Sequence, residues 1–358
     1  MNKNSLLYYK TACSLKLPAT LIDDIDGLDI KLGKQRYFFR GGDTPYNFGS
    51  SLNIANNKCC MNKLLENAGF PVPKSYTLGK EDLKNEPLES LIQGLRFPLV
   101  AKPMTGTASG KDVLCNITNI TQLQTYMNKC MPEHQFITVE EFHGGLSAYR
   151  VLVFFNKVIG VVQRFPAAVV GDGTHSIKEL IAIDNVKREK RIKTLPLGPI
   201  KVDEEYQIRL AELNMTLETV PNDKETIVLC YTCNSTRGGT MKSLGKKICK
   251  ENARLLCQAA QTLNLNIVGF DVQCEDILIP IAKSRGVIIE ANSNPDISIH
   301  EAPLFGSPTK VSKPILIRLI LKHPIAYCLG VCQKMKINIY IKAIFIVLVL
   351  LLYARSQS

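Results

Sequence analysis

Asp271 in Gly-Phe-Asp-Val, followed by Glu290 and Asn292 in Val-Ile-Ile-Glu-Ala-Asn, gives three oxygen-bearing side chains with the chemistry of a hard-cation site. Residues 267–273 and 286–292 are rich in β-branched residues and read as strands. Side chains two apart on a strand share a face, so Glu290 and Asn292 point one way, and Asp271 joins them from a neighbouring strand. Oxygen ligands that leave coordination places open suit Mg²⁺ when it also holds nucleotide phosphates. The trio is thus a candidate phosphoryl-transfer site; taken alone, acids at strand ends are more often solvated edges or turn formers.

Upstream, residues 97–103 (Phe-Pro-Leu-Val-Ala-Lys-Pro) read as an apolar strand with one cation, Lys102, ahead of a loop containing Thr105, Gly106 and Gly110. Such a loop can lay backbone N–H groups on phosphates while the lysine compensates their charge. The bland alternative is a hairpin with an exposed lysine. It is not a P-loop, since no Gly-Lys-Ser/Thr run opens a helix. Residues 136–142 make another strand, ending in Glu140-Glu141. In a nucleotide cleft, backbone groups here can read an adenine edge and a carboxylate can accept a ribose hydroxyl. Neighbours on a strand face opposite sides, so one of the two acids faces the ligand.

The order Asn57-Lys58, Leu64-Leu-Glu-Asn-Ala-Gly-Phe-Pro-Val-Pro73, Val-Ala-Lys102-Pro, the glycine loop, Val-Glu140-Glu141, Gly-Phe-Asp271 and Glu290-Ala-Asn292 resembles the ATP-grasp superfamily. Within it, Tyr-Arg150-Val-Leu-Val, Gln-Arg164-Phe-Pro-Ala-Ala-Val-Val-Gly-Asp-Gly-Thr-His-Ser-Ile and Arg237-Gly-Gly-Thr240 resemble the ATP-grasp part of cyanophycin synthetase and of the fused bacterial glutamate–cysteine ligase/glutathione synthetase. The match runs from about residue 40 to about residue 321.

The resemblance implies an α/β (α+β) ATP-grasp fold and an ADP-forming carbon–nitrogen ligase that phosphorylates a carboxylate with ATP and passes the acyl phosphate to an amine. ATP and Mg²⁺ (or Mn²⁺) are the implied cofactors. Lys58 and Lys102 would contact phosphates, residues 105–111 would cover them, Glu140 or Glu141 would lie at the adenosine, and Asp271, Glu290 and Asn292 would hold the metal. Attack of a carboxylate on the γ-phosphorus joins two anions, so positioning and neutralisation carry the catalysis. Arg150, Arg164 and Arg237 fit that task, because a guanidinium offers paired donors and keeps its charge. Arg237, before Gly238-Gly239, where a ligand can approach the backbone closely, is expected nearest the acyl phosphate, with Arg150 and Arg164 nearer the substrate or phosphates. Surface ion pairs are the plain alternative for each.

Cyanophycin synthetase has a further ligase domain beyond its grasp, and the glutathione enzyme has one ahead of it; this chain has length for neither. A stand-alone ligase joining an amino acid or short peptide to an amine is therefore expected. Rival readings are an ATP-grasp enzyme that modifies a protein or carboxylates a small molecule, and a lapsed enzyme that only binds nucleotide. His300, in His300-Glu-Ala-Pro303, matches a His-x-x-Pro of the cyanophycin-synthetase-like group and reads first as structural.

At 358 residues with a formal charge of +12, the chain has room for two or three lobes. Its Lys and Arg are scattered rather than striped among aromatics, which argues against nucleic acid as a partner. Twelve cysteines come without a signal-peptide pattern, and Cys230-Tyr-Thr-Cys233 lacks a second CxxC or paired histidines. Reduced, mostly buried thiols in a cytoplasmic enzyme are expected.

The organisation read from the sequence is a small α/β lobe over residues 1–56, an ATP-grasp domain over 57–322 with a lid over 97–142, and a tail over 323–358. Helices are expected at residues 58–68, 121–130 and 246–263, and one opens at the capping box Ser176-Ile-Lys-Glu179. In the tail, residues 337–353 are apolar apart from Lys342. They read either as a tail anchor, close to the length of a spanning helix with Lys342 snorkelling, that leaves the catalytic body in the cytoplasm, or as a helix packed on the body or in a homo-oligomer interface.

Overall fold

The computed structural model describes residues 1–104, 112–191, 197–334 and 339–357. Helix α1 (Lys3–Ser14) precedes β1 (Ala19–Ile22), β2 (Gly27–Leu32) and β3 (Gln35–Arg40), and α2 (Gly49–Asn56) and α3 (Lys58–Asn67) follow. Next come β4 (Ser75–Gly79), α4 (Lys80–Asn85), α5 (Leu88–Leu91), β5 (Leu99–Pro103), β6 (Leu114–Ile117), α6 (Ile120–Cys130) and β7 (Phe136–Glu141). The chain continues through β8 (Ser147–Phe154), β9 (Lys157–Phe165), β10 (Ala168–Val170), α7 (Ile177–Arg191), α8 (Glu204–Glu212), β11 (Thr226–Val228) and β12 (Thr240–Gly245). Last are α9 (Lys250–Thr262), β13 (Ile267–Cys274), β14 (Gly286–Asn292), α10 (Ser298–Glu301), α11 (Ser312–Lys322), α12 (Pro324–Lys334) and α13 (Ile339–Gln357).

Two antiparallel sheets position the site. The central one has the order β12-β9-β8-β13-β14, and the second, which holds the segment read as the lid, has the order β4-β7-β5-β6. Val268, Phe270 and Val272 of β13 point into one core with Leu256, Ala259 and Ala260 of α9 and Met61 and Leu65 of α3. In the lid, Leu99, Ala101, Ile137 and Val139 pack on Leu123 and Met127 of α6. Each such side chain contributes about 1.5–3 kcal/mol on burial, so each sheet is committed to one apolar face. The other faces are free to carry chemistry.

Several boundaries differ from those read in the sequence. The lid takes its edge strand from Ser75–Gly79, ahead of residue 97, because β4 pairs along β7 from Ser75 opposite Glu140 to Gly79 opposite Phe136. The first 40 residues do not form a core of their own: Tyr8, Leu28, Ile30 and Phe39 share one with Leu152, Phe154, Ile315, Leu316 and Leu319. Helix α9 begins at Lys250, after Cys249, whose sulfur accepts from the Asn252 N–H at 3.4 Å. The capping box is formed at α7, where Ser176 N–H donates to Glu179 Oε2 at 2.8 Å and Glu179 N–H to Ser176 Oγ at 3.4 Å. All twelve cysteines are free; Cys13, Cys59 and Cys60 are exposed, five are buried and the rest lie between.

Among the described residues no single helix is long and apolar enough to cross a membrane. The bent pair α11–α12, broken by 98°, has the combined length and composition, but Ile315, Leu316 and Leu319 of α11 belong to the core.

Candidate active site

A β-bulge sets the acidic edge. Val272 pairs with Ile288, yet Asp271 pairs with Glu290, so Ile289 is an extra residue in β14. Strict alternation would send Ile288 and Glu290 to the same face. The bulge reverses the phase: Ile288 stays in the core, while Glu290 and Asn292 turn to the face that Asp271 occupies. Asp271 also pairs with Arg150 of β8, which puts Arg150, Asp271 and Glu290 in one row across three strands.

Arg150 Nε donates to Asp271 Oδ1 at 2.5 Å and its Nη2 to Oδ2 at 3.0 Å, and Arg164 Nη1 reaches Oδ2 at 3.1 Å. Burial would raise the Asp271 carboxyl, but the two guanidiniums outweigh it and hold the group below the usual carboxylate range. Gly269 makes the approach feasible: a Cβ there would lie 3.0 Å from Arg150 Cδ and 3.1 Å from Pro295 Cβ. Asn292 directs its amide nitrogen to Gly269 O at 3.3 Å and to Asp271 Oδ2 at 3.5 Å, which leaves its carbonyl oxygen toward the cleft. Glu290 has no hydrogen-bond or ion-pair partner among the described residues.

Opposite stands the lid. Val100 and Lys102 of β5 and Glu140 of β7 are turned from the lid core toward the cleft. Lys102 Nζ donates to Glu140 Oε1 at 2.5 Å, with both side chains buried. Glu141 lies at the strand end, accepting from the backbone N–H of Arg96 at 3.2 Å. Of the two acids, then, Glu140 shares the lysine's side. Lys58, the first residue of α3 after the cap Asn57, completes the ring of charge. Burial pulls its ammonium below the ordinary lysine range, aided by Lys102 and opposed by Glu290, Glu140 and Asp271. The resulting cleft, of about 570 Å³, contains Lys58, Lys102, Glu140, Glu141, Arg150, Arg164, Asp271, Glu290 and Asn292 in its walls.

Arg237 is elsewhere. It lines a neighbouring cavity of about 850 Å³ between β6, α6 and α8. Its Nη1 lies 2.8 Å from Glu205, a second ion pair joins it to Asp203, and Nη1 donates to Thr232 Oγ1 at 3.0 Å. Thr232 in turn lines the nucleotide-sized cleft, so one side chain separates Arg237 from it. The two glycines after Arg237 do not open the backbone to a ligand. Gly238 sits at φ +93° with a Cβ position 2.6 Å from Ile200, and Gly239 closes on Asn234 O and Phe165 O. His300 is fully buried against Gly160, away from the cleft, and burial drives its pKa down to about 3. Thr105, Gly106 and Gly110 lie outside the described residues.

The cleft also holds side chains that the sequence reading passed over: His143, Thr232, Asn234, Thr236, Asn294 and Asp296. Asn294 and Asp296 had a signal, since Asn-Ser-Asn-Pro-Asp continues straight from the metal strand. Thr232 and Asn234 had none, being brought in by the loop before Arg237.

The donor set fits a magnesium ion: the Glu290 carboxylate, which has no partner among the described residues, the Asn292 amide oxygen, and Asp271 Oδ1, on which one described donor sits, all hard oxygens at a cleft edge.

No family model matches the chain. Cyanophycin synthetase of Crocosphaera subtropica is 31% identical over 270 residues, covering 74% of this chain and 30% of that protein. The glutathione biosynthesis bifunctional protein GshAB of Desulfotalea psychrophila is 28% identical over 288 residues, covering 79% of this chain and 36% of that protein. The chain thus spans about a third of the length of the curated relatives it matches. The crystal structure of a bifunctional glutathione synthetase from Pasteurella multocida superposes with a TM-score of 0.61 at 22% identity, over 90% of this chain and 44% of that one. With this fold, and with homologues of these two kinds, the chain belongs to the ATP-grasp superfamily.

Proposed function

We propose that this protein is an ATP-dependent carboxylate–amine ligase that forms an amide bond through an acyl phosphate, releasing ADP and phosphate. What carries the reading is the cleft itself, with two lysines from the lid side and α3 facing a bulged acidic strand edge and two arginines. The acid substrate is an amino acid or short peptide, a class in keeping with the names of the relatives. The reaction runs in the cytoplasm, where ATP is supplied.

In this reading a substrate carboxylate oxygen attacks the γ-phosphorus and ADP leaves. The amine nitrogen then attacks the acyl carbon, gives up a proton, and phosphate departs. Lys58 and Lys102 hold the phosphates, and Lys102 is preset for this by its contact with Glu140. Glu140 or Glu141 accepts from the ribose. Arg150 and Arg164 fix Asp271 and offer their remaining N–H groups to the transferring phosphoryl. Arg237 lines the adjoining cavity, held there by Glu205 and Asp203, one side chain away from the cleft. Asp271, Glu290 and Asn292 would hold Mg²⁺, which when bound neutralises phosphate charge.

The test is to incubate the protein with ATP, Mg²⁺ and pooled amino acids and dipeptides, measuring ADP and product masses together. A new mass equal to a condensation product, in step with ADP, supports the reading. ADP that appears only after a protein acceptor is added would move it to the protein-modifying alternative.

A further inference from the structure

Helix α13 packs along α12 on one side and leaves the rest of its apolar surface exposed among the described residues. Ile341, Ile344, Val347, Leu350, Leu352 and Tyr353 are 36–64% exposed. At 3.6 residues per turn they point to every side of the helix rather than along one stripe. A helix docked on a protein surface keeps a polar outer face, whereas one apolar all round is suited to hydrocarbon. The neighbouring α12 adds exposed Ile325 and Leu329.

Charge supplies the second observation. From the end of α12 onward the chain carries Lys334, Lys336, Lys342 and Arg355, with no Asp or Glu. One-sign charge beside an apolar helix complements anionic headgroups and repels a second copy of itself. Length agrees with this. The uninterrupted apolar run Ala343–Tyr353 is about 16 Å long at 1.5 Å per residue, about half of a ~30 Å hydrocarbon core.

We propose that α13 embeds in the near leaflet of a bilayer with anionic headgroups and holds the catalytic body at that surface. The inference is independent of the reaction assigned to the cleft.

Flotation of the full-length protein with vesicles tests it, comparing phosphatidylcholine alone with phosphatidylcholine mixed with phosphatidylglycerol. The protein is expected to float with the mixed vesicles, and about tenfold less with neutral ones. The exposed-site variant Val347→Glu/Leu350→Glu/Leu352→Glu should lose flotation and keep the wild-type thermal melt. Failure to float with mixed vesicles, equal flotation on both kinds, or unchanged flotation of the variant would each overturn the proposal. So would a discrete dimer in lipid-free buffer that the three glutamates dissolve.

Discussion

Arg150 grips both carboxylate oxygens of Asp271, the residue directly across from it in the β8–β13 ladder, at 2.5 and 3.0 Å. A carboxylate fixed in this way cannot swing, so the acidic edge is built before any ligand arrives. Its neighbour in the same row, Glu290, has no such partner among the described residues. The two acids should therefore respond differently to substitution.

Glu290→Ala removes a proposed metal ligand without breaking a described contact. Turnover should fall by roughly 100-fold or more, while stability stays within about 0.5 kcal/mol of wild type. Steady-state ADP release and a thermal melt check both halves. Unchanged rates at saturating Mg²⁺ would remove Glu290 from the site.

Asp271→Asn leaves two largely buried guanidiniums facing a neutral amide. It should destabilise the fold by about 3 kcal/mol as well as lower turnover. The pH dependence has a definite sign. Because the folded Asp271 carboxyl sits below its unfolded value, its stabilisation is present above the unfolded pKa and is lost as pH falls through the folded one. Denaturant titrations between neutral and acid pH should show the gap between wild type and variant closing only at the acid end.

Much of this was legible in the sequence because strand alternation is local: Asp271, Glu290 and Asn292 declare themselves by residue type within short β-branched runs. Ile289 was not legible as a bulge, since nothing in Val-Ile-Ile-Glu tells an extra residue from a regular one. Alternation nevertheless grouped Glu290 with Asn292 correctly, as both follow the bulge. Arg237 is the instructive case. Its sequence neighbours advertise a ligand site, but its position is set by Asp203 and Glu205, more than thirty residues upstream on a different element. Long-range ion pairs of this kind leave no periodic trace.

Lys102 and Glu140 form a buried pair, so single substitutions confound folding with binding. Lys102→Met strands a buried carboxylate and should cost about 3–5 kcal/mol. The double variant Lys102→Met/Glu140→Leu removes both charges and should regain most of that stability. Its affinity for MgATP, measured by calorimetry, should stay at least about tenfold below wild type. Full recovery of affinity would show that Lys102 serves the fold alone.

Lys58 offers a pH test of nucleotide binding. Its ammonium is already pulled below the ordinary lysine range, so on the alkaline side the proton must be taken up before the cation can meet phosphate. MgATP affinity should begin to fall at a lower pH than an unperturbed lysine would allow. Lys58→Arg, which keeps its charge, should move that fall to higher pH or abolish it.

The central claim is that the cleft arms a carboxylate by phosphorylation. It is tested most directly by supplying pooled amino acids and dipeptides labelled with oxygen-18 in their carboxyl groups and weighing the phosphate released alongside ADP. An acyl phosphate requires that the bridging label leave with the phosphate, which should then carry one heavy oxygen. Unlabelled phosphate accompanying an amide product would contradict the mechanism.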